Sequence, residues 1–252
     1  MSTQRTRIDE VLHDLDAIIE ETVRENNMLG IFAYVYRRTT AEIKRAIEEG
    51  VFEDNPRMER FDVRFAGYYL DAYHAWKTGQ PVSRAWMISF DSRQEPLAIL
   101  QHLLMGMNAH INLDLGVTAS ESVDGQDIEH IHNDFNKVNE ILFGLTEEFQ
   151  SRLSRVSPSI FLMDWIGKNS DERIANFSIK EARNQSWRNA LLLANLQGQD
   201  RSEAIETIDQ SVMQLSALLI RPKSRLLRFV WSTIRFFEEK NVGVLLQKLE
   251  QD

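Results

Sequence analysis

From His102 to Gly116 the chain reads HLLMGMNAHINLDLG, an apolar run that also carries two histidines, two asparagines and an aspartate. Residues four apart meet on one side of a helix, so Asn108 faces Asn112 on one flank and His110 faces Asp114 on roughly the opposite one. Neutral imidazole and carboxylate are the ligands that zinc, manganese and iron(II) accept. An ion with an open coordination position lowers the pKa of its bound water and makes a nucleophile at neutral pH. A second His-x-x-x-Asp pair follows in DIEHIHNDFNKVNEILFGL, where Asp127, His130 and Asp134 line up at steps of three and four. If the two segments form a hairpin about Thr118 to Ser122, His110 lies level with His130 and Asp134 lies level with Gly106. The glycine leaves a gap between His102 and His110 into which a carboxylate could reach.

These positions define a candidate metal shell of His102, His110, Asp114 and Asp134, with His130 in reserve and Asn108 and Asn112 orienting the helix or a substrate. The activity it would support is a metal-dependent hydrolase, acting on a phosphoester for example. Geometry weighs partly against it, because His102 and His110 are eight residues apart, about 12 Å along a helix axis and turned by roughly 80°. The other reading of the same residues is a silent buried network that fixes the register of a central helix pair. A carboxylate four residues from a histidine also serves merely to orient it.

The elements that must position these groups are helices. Leu97, Leu100, Leu103, Leu104, Met107, Ile111, Leu113 and Leu115 spread around the whole circumference of a helix from Pro96 to Leu115, which marks it as central. Polar groups inside it need partners, since each one left unpaired costs about 1–3 kcal/mol. An amphipathic helix fits Ile8 to Val23, and others fit Asn55 to Lys77, Gln126 to Val156, Ile179 to Leu196, Ser202 to Ile220 and Ser224 to Lys240. Glycines and prolines fall at the joints, Gly125 and Pro158 among them, and the stretch Gly116 to Asp127 reads as a loop that makes its flanking helices antiparallel neighbours. The sequence predicts an all-α fold, one multi-helix domain over residues 1–252.

The Asn55–Lys77 helix carries Phe61, Phe65, Tyr68, Tyr69, Tyr73 and Trp76, with Arg64 and Asp71 two turns apart on one face. A structural ion pair between Arg64 and Asp71 is the expectation, with Arg64 meeting an anionic group as the alternative. The aromatic side supports a second functional class, a non-catalytic binder of a lipid-like or aromatic small molecule. In that protein the His/Asn/Asp cluster is structural. His13 and His74 stand alone and read as structural or surface residues.

Composition narrows the field. The 252 residues are 43% hydrophobic and 27% charged, a balance that suits a globular protein. A net charge of −9 disfavours a general nucleic-acid binder, which needs Lys and Arg to displace phosphate counterions. With no cysteine, thiolate metal sites and cysteine nucleophiles are excluded. The polar start and the lack of a long apolar run make a cytoplasmic location the expectation. No Gly-rich phosphate loop, Gly-x-Ser-x-Gly elbow, His-Glu-x-x-His or paired Glu-x-x-His motif is present. Arg221 to Phe237, RPKSRLLRFVWSTIRFF, is basic and amphipathic; such a helix can lie on an anionic membrane, but its broad apolar arc predicts a core helix without membrane contact.

LQHLLMGMNAHINLDLG, together with FAGYYLDAYHAW, PVSRAWMISFD, DFNKVNEIL and FSIKEARNQSWRNALLLA, resembles an uncharacterised family of bacterial proteins known as a domain of unknown function. The resemblance covers roughly Phe61 to Ala194 and implies a single helical domain whose notable residues are His102, Asn108, His110, Asn112, Asp114 and Asp134. It implies no activity. A local likeness links His110 with Asp114 and His130 with Asp134 to the metal-holding pairs of the all-helical zinc-dependent phospholipase C and single-strand nuclease group. Members of that group are typically secreted and bind metal through the mature amino terminus, whereas this chain begins with a polar helix. The likeness sets only a reaction class.

Overall fold

A computed structural model describes residues 5–123, 127–157 and 179–251. Gly125 and Pro158, two of the expected joints, lie outside these residues. Every regular element among the described residues is helical, as the periodicity predicts. In chain order they are α1 (Ile8–Arg24), α2 (Leu29–Glu48), α3 (Asn55–Lys77), α4 (Arg84–Asp91) and α5 (Ile99–Ala109). A π-helical turn, His110–Asp114, leads into α6 (Leu115–Glu121). After a 3-10 turn, Ile128–Ile131, come α7 (His132–Ser154), α8 (Ile179–Ala194), α9 (Gly198–Ile220), α10 (Arg225–Phe237) and α11 (Val242–Glu250).

α5 is central because it is apolar all round. Nearly every residue from Ile99 to Ala109 is buried, and the helix packs on α2, α4 and α9. Gly106 allows the α2 contact, since a Cβ there would sit 2.5 Å from Cγ of Phe32. α5, the π turn and α6 succeed one another without a break, so the helical run continues to Glu121 and the expected loop at Gly116 is absent. Gly116 is instead a close-packing position: an added Cβ would meet the Ser186 carbonyl at 3.0 Å, which brings α8 tightly against α6. The predicted hairpin fails for the same reason. α8 covers α6 and the π turn, while α7 packs on α2 and α11.

Carboxylates from distant parts of the chain cap three helices. Asp134 accepts the backbone N–H groups of Glu53 (2.7 Å) and Asp54 (3.2 Å) at the start of α3. Asp209 of α9 accepts those of Arg84 and Ala85 at the start of α4, at 2.8 and 2.9 Å. Glu238 accepts that of Ile99 at the start of α5, at 2.9 Å. Each cap satisfies donors that no intrahelical carbonyl reaches and sets a negative charge at the positive end of the helix dipole.

α10 departs from expectation. Leu227, Trp231 and Ile234 are buried on one side, but Phe229, Phe236 and Phe237 are 70%, 74% and 71% exposed on the other. The broad apolar arc is thus split into a packed stripe and an open one. Among the described residues no helix is long and apolar enough to cross a membrane.

Candidate functional site

The π turn creates the most unusual polar environment among the described residues. Widening the helix by one residue leaves carbonyls without their usual intrahelical donors, and α8 supplies replacements. The Ser186 hydroxyl donates to the Ile111 carbonyl, and the Asn189 amide donates to the Asn112 carbonyl at 3.5 Å. Asn108 ties the other flank to α9, its amide donating to the Val212 carbonyl and the Ser216 hydroxyl, both at 2.9 Å. The Asn112 amide donates to Asn108 Oδ1 at 2.8 Å, so the predicted asparagine seam is present.

The histidine seam is present too. His110 Nδ1 lies 3.0 Å from Asp114 Oδ2, and the Trp86 indole N–H donates to the same oxygen at 2.9 Å. An aromatic cage encloses the imidazole: Phe65 stacks on it with centroids 3.7 Å apart, and Tyr36 meets it edge-on at 4.5 Å. Burial pushes the Asp114 carboxyl well up and the His110 imidazole well down. The pair is therefore held as an uncharged acid and an uncharged imidazole joined by one proton.

Around this pair several buried polar atoms have no hydrogen-bond partner among the described residues: His110 Nε2, the Tyr69 hydroxyl and Asp62 Oδ2. Tyr36 and Thr40 share one face of α2, while Asp62 and Tyr69, seven residues apart, share one face of α3. The Tyr36 ring lies 5.9 Å from that of Tyr69, and Asp62 is close enough to raise the Tyr36 phenol electrostatically, after burial itself. Desolvation lifts Asp62 to about 7. A carboxyl that exchanges its proton near neutrality thus sits in the same core as an imidazole whose outer nitrogen is unengaged. Neither Asp62 nor Tyr36 stood out in the sequence, where each reads as an ordinary member of an amphipathic helix.

The remaining predicted ligands lie apart. Asp134 is occupied as the cap of α3 and pairs with Arg57 at 2.8 Å. His130 is exposed in the 3-10 turn that precedes α7. His102 is buried, and burial, helped by Arg235 and opposed by a contact with the Glu95 backbone, lowers it to about 4. Among the described residues no three His, Asp or Glu side chains gather as a metal shell. Arg64 pairs with Glu121 at 2.7 Å instead of with Asp71, which pairs with Arg5 at 3.0 Å. The reason is that two helical turns along α3 leave those groups about 10 Å apart, while α6 brings Glu121 alongside.

These displaced arginines line an open groove of about 920 Å³ on the outer side of α3. Arg5, Arg57, Arg60, Arg64 and Tyr68 supply its polar wall, with Asp71 and Glu121, and Phe61, Val63, Pro81 and Val82 supply apolar surface. Arg60 is exposed and forms no ion pair among the described residues.

A family pattern matches residues 8–222, which take in helices α1 to α9. The chain belongs to DUF5995, a family of unknown function. The family region holds the buried cluster and, apart from Arg5 and Thr6, the lining of the groove, whereas α10 and α11 lie beyond it. Neither a curated protein nor a solved structure matches the chain.

Proposed function

We propose that this DUF5995 protein binds a small amphiphilic anion, such as an organic carboxylate or phosphate monoester, in the groove along α3. The observation that carries this reading is the gathering of four arginines in one groove of a chain whose net charge is −9. The groove volume falls in the range typical of small-molecule sites, about 300–1,000 Å³. Its apolar surface would take the body of the ligand, and Arg60, with Arg57 and Arg64 on the same face, would meet the charged end. The buried His110–Asp114–Trp86 network supports the site from beneath by fixing the π turn against α3. Isothermal titration calorimetry with octanoate and octyl phosphate, below their micellar concentrations, tests the proposal. Saturable binding that weakens about tenfold in Arg60→Ala supports it, and absence of binding, or equal affinity in the variant, sinks it.

One observation favours a rival, the metal-dependent hydrolase. His110 Nε2 is buried and unpartnered while Asp114 orients the ring through Nδ1, as metal-binding histidines are oriented. The donor set is poor for an ion, however, because Asp114 is engaged by His110 and Trp86 and the other predicted ligands lie elsewhere. Elemental analysis of chelator-free protein, compared with a His110→Ala, Asp114→Ala double variant, separates the two readings. Near-stoichiometric zinc, manganese or iron that is lost in a folded double variant would favour the hydrolase.

A further inference from the structure

We infer that the outward face of α10 docks on an anionic lipid surface. Amphipathic helices of soluble proteins bury one apolar stripe and turn the rest to water, but α10 carries two. Leu227, Trp231 and Ile234 fasten it to the core, and Phe229, Phe236 and Phe237 stand out with Leu226, itself 54% exposed. At 100° per residue Phe229 and Phe236 project within roughly 20° of each other, and Arg225 lies beside them within roughly 20° of Phe236. These exposed phenyl rings, Phe236 and Phe237 in edge contact at 5.2 Å, lie outside the stripe that anchors the helix. Exposed apolar patches of this kind mark interaction surfaces.

Charge identifies the partner. From Arg221 to Phe237 there are five basic residues and no acidic one, in a chain that is acidic overall. Arg225 and Arg228 are exposed, and neither forms an ion pair among the described residues. Aromatic rings at the depth of the acyl boundary, with guanidinium groups reaching lipid phosphates, are how an interfacial helix lies in a membrane surface. α10 also lies outside the region matched by the family pattern. It is independent of the α3 groove.

The test is co-sedimentation of the full chain with vesicles of phosphatidylcholine containing 30% phosphatidylglycerol, against pure phosphatidylcholine, at low and high salt. The wild type is expected to bind the anionic vesicles only, and less at high salt. Each basic residue near such a surface contributes about fivefold to partitioning; Arg225→Gln with Arg228→Gln should therefore weaken binding roughly 25-fold. Phe229→Ser, Phe236→Ser, Phe237→Ser should abolish it, and all three rings are exposed, so circular dichroism should be unchanged. Failure of the wild type to bind, or binding unchanged in the phenylalanine variant, overturns the inference. Light scattering guards against one further outcome: a wild-type dimer that the phenylalanine variant converts to monomer would make the face a contact between copies, and would overturn it too.

Discussion

Asp62 offers a quantitative test of the buried cluster. Its carboxyl lies in the core at 7% exposure with Oδ2 unpartnered, and desolvation raises it from 3.8 to about 7. Each tenfold change in proton affinity is worth about 1.4 kcal/mol, which makes the ionised form about 4 kcal/mol harder to bury than the acid. The folded pKa is the higher one, so the unfolded chain gives up its proton first as pH rises. The contribution of Asp62 to stability is full below about pH 4 and is lost progressively up to about pH 7. Between pH 5 and 7.5 the wild type should lose about 2–3 kcal/mol from this group. Asp62→Asn keeps the shape and cannot ionise, so it should escape that loss. Its own amide also needs a partner, which lowers stability at every pH without a slope. The assay is urea denaturation of both proteins at half-unit steps from pH 4.5 to 8, read as the difference between the two stability curves. A difference rising with pH by about 2–3 kcal/mol supports a buried, unpaired carboxyl. Parallel curves would refute the reasoning, because they would mean that Asp62 is ionised in the fold and has found a partner or water.

His102 should behave in the opposite sense. Its folded pKa of about 4 is depressed by burial, so its contribution is present above pH 6.5 and lost as pH falls toward 4, by up to about 3 kcal/mol. His102→Leu should flatten that acid limb in chemical denaturation, and an unchanged limb would assign the acid sensitivity elsewhere. Gly106→Ala places a methyl group against the Phe32 ring. Overpacking of about 1–3 kcal/mol should outweigh the gain in helix propensity of about 1 kcal/mol, and a stabilised variant would show that the ring moves aside freely. Asp134→Ala leaves Arg57 and two backbone donors without their acceptor, for which a loss of about 3–5 kcal/mol is expected. Its metal content should match that of the wild type; a variant of wild-type stability that has lost metal would restore Asp134 as a ligand.

Most helices were legible in the sequence because apolar periodicity is a local property, but α2, α4 and α11 were not read from it. The central position of α5 followed from its uniform apolar circumference, and the pairs Asn108–Asn112 and His110–Asp114 followed from four-residue spacing. Glycine misled. Gly116 reads as a helix end, yet it serves as the point where α8 approaches most closely, and nothing local distinguishes these uses. The π turn was equally hidden, since it depends on Ser186 and Asn189 of a helix some 70 residues away accepting the role of donors. The open stripe of α10 was invisible for a related reason: a hydrophobic arc records what could be buried, and neighbours decide how much of it is.

The two His-x-x-x-Asp pairs show why spacing alone does not define a site. In the first, α4 delivers the Trp86 indole and the π turn keeps His110 beside Asp114, so that carboxyl finds one donor and one shared proton close to its own helix. In the second, the α-helix begins only at His132, so His130 precedes it in a 3-10 turn and its register with Asp134 is broken. Asp134 then finds three donors elsewhere, two backbone N–H groups and the Arg57 guanidinium. A carboxylate offered three donors by the unsatisfied start of α3 gains more from them than from one neutral imidazole. Its loss from the predicted shell is therefore a consequence of helix capping. The same competition placed Asp209 and Glu238 at the starts of α4 and α5.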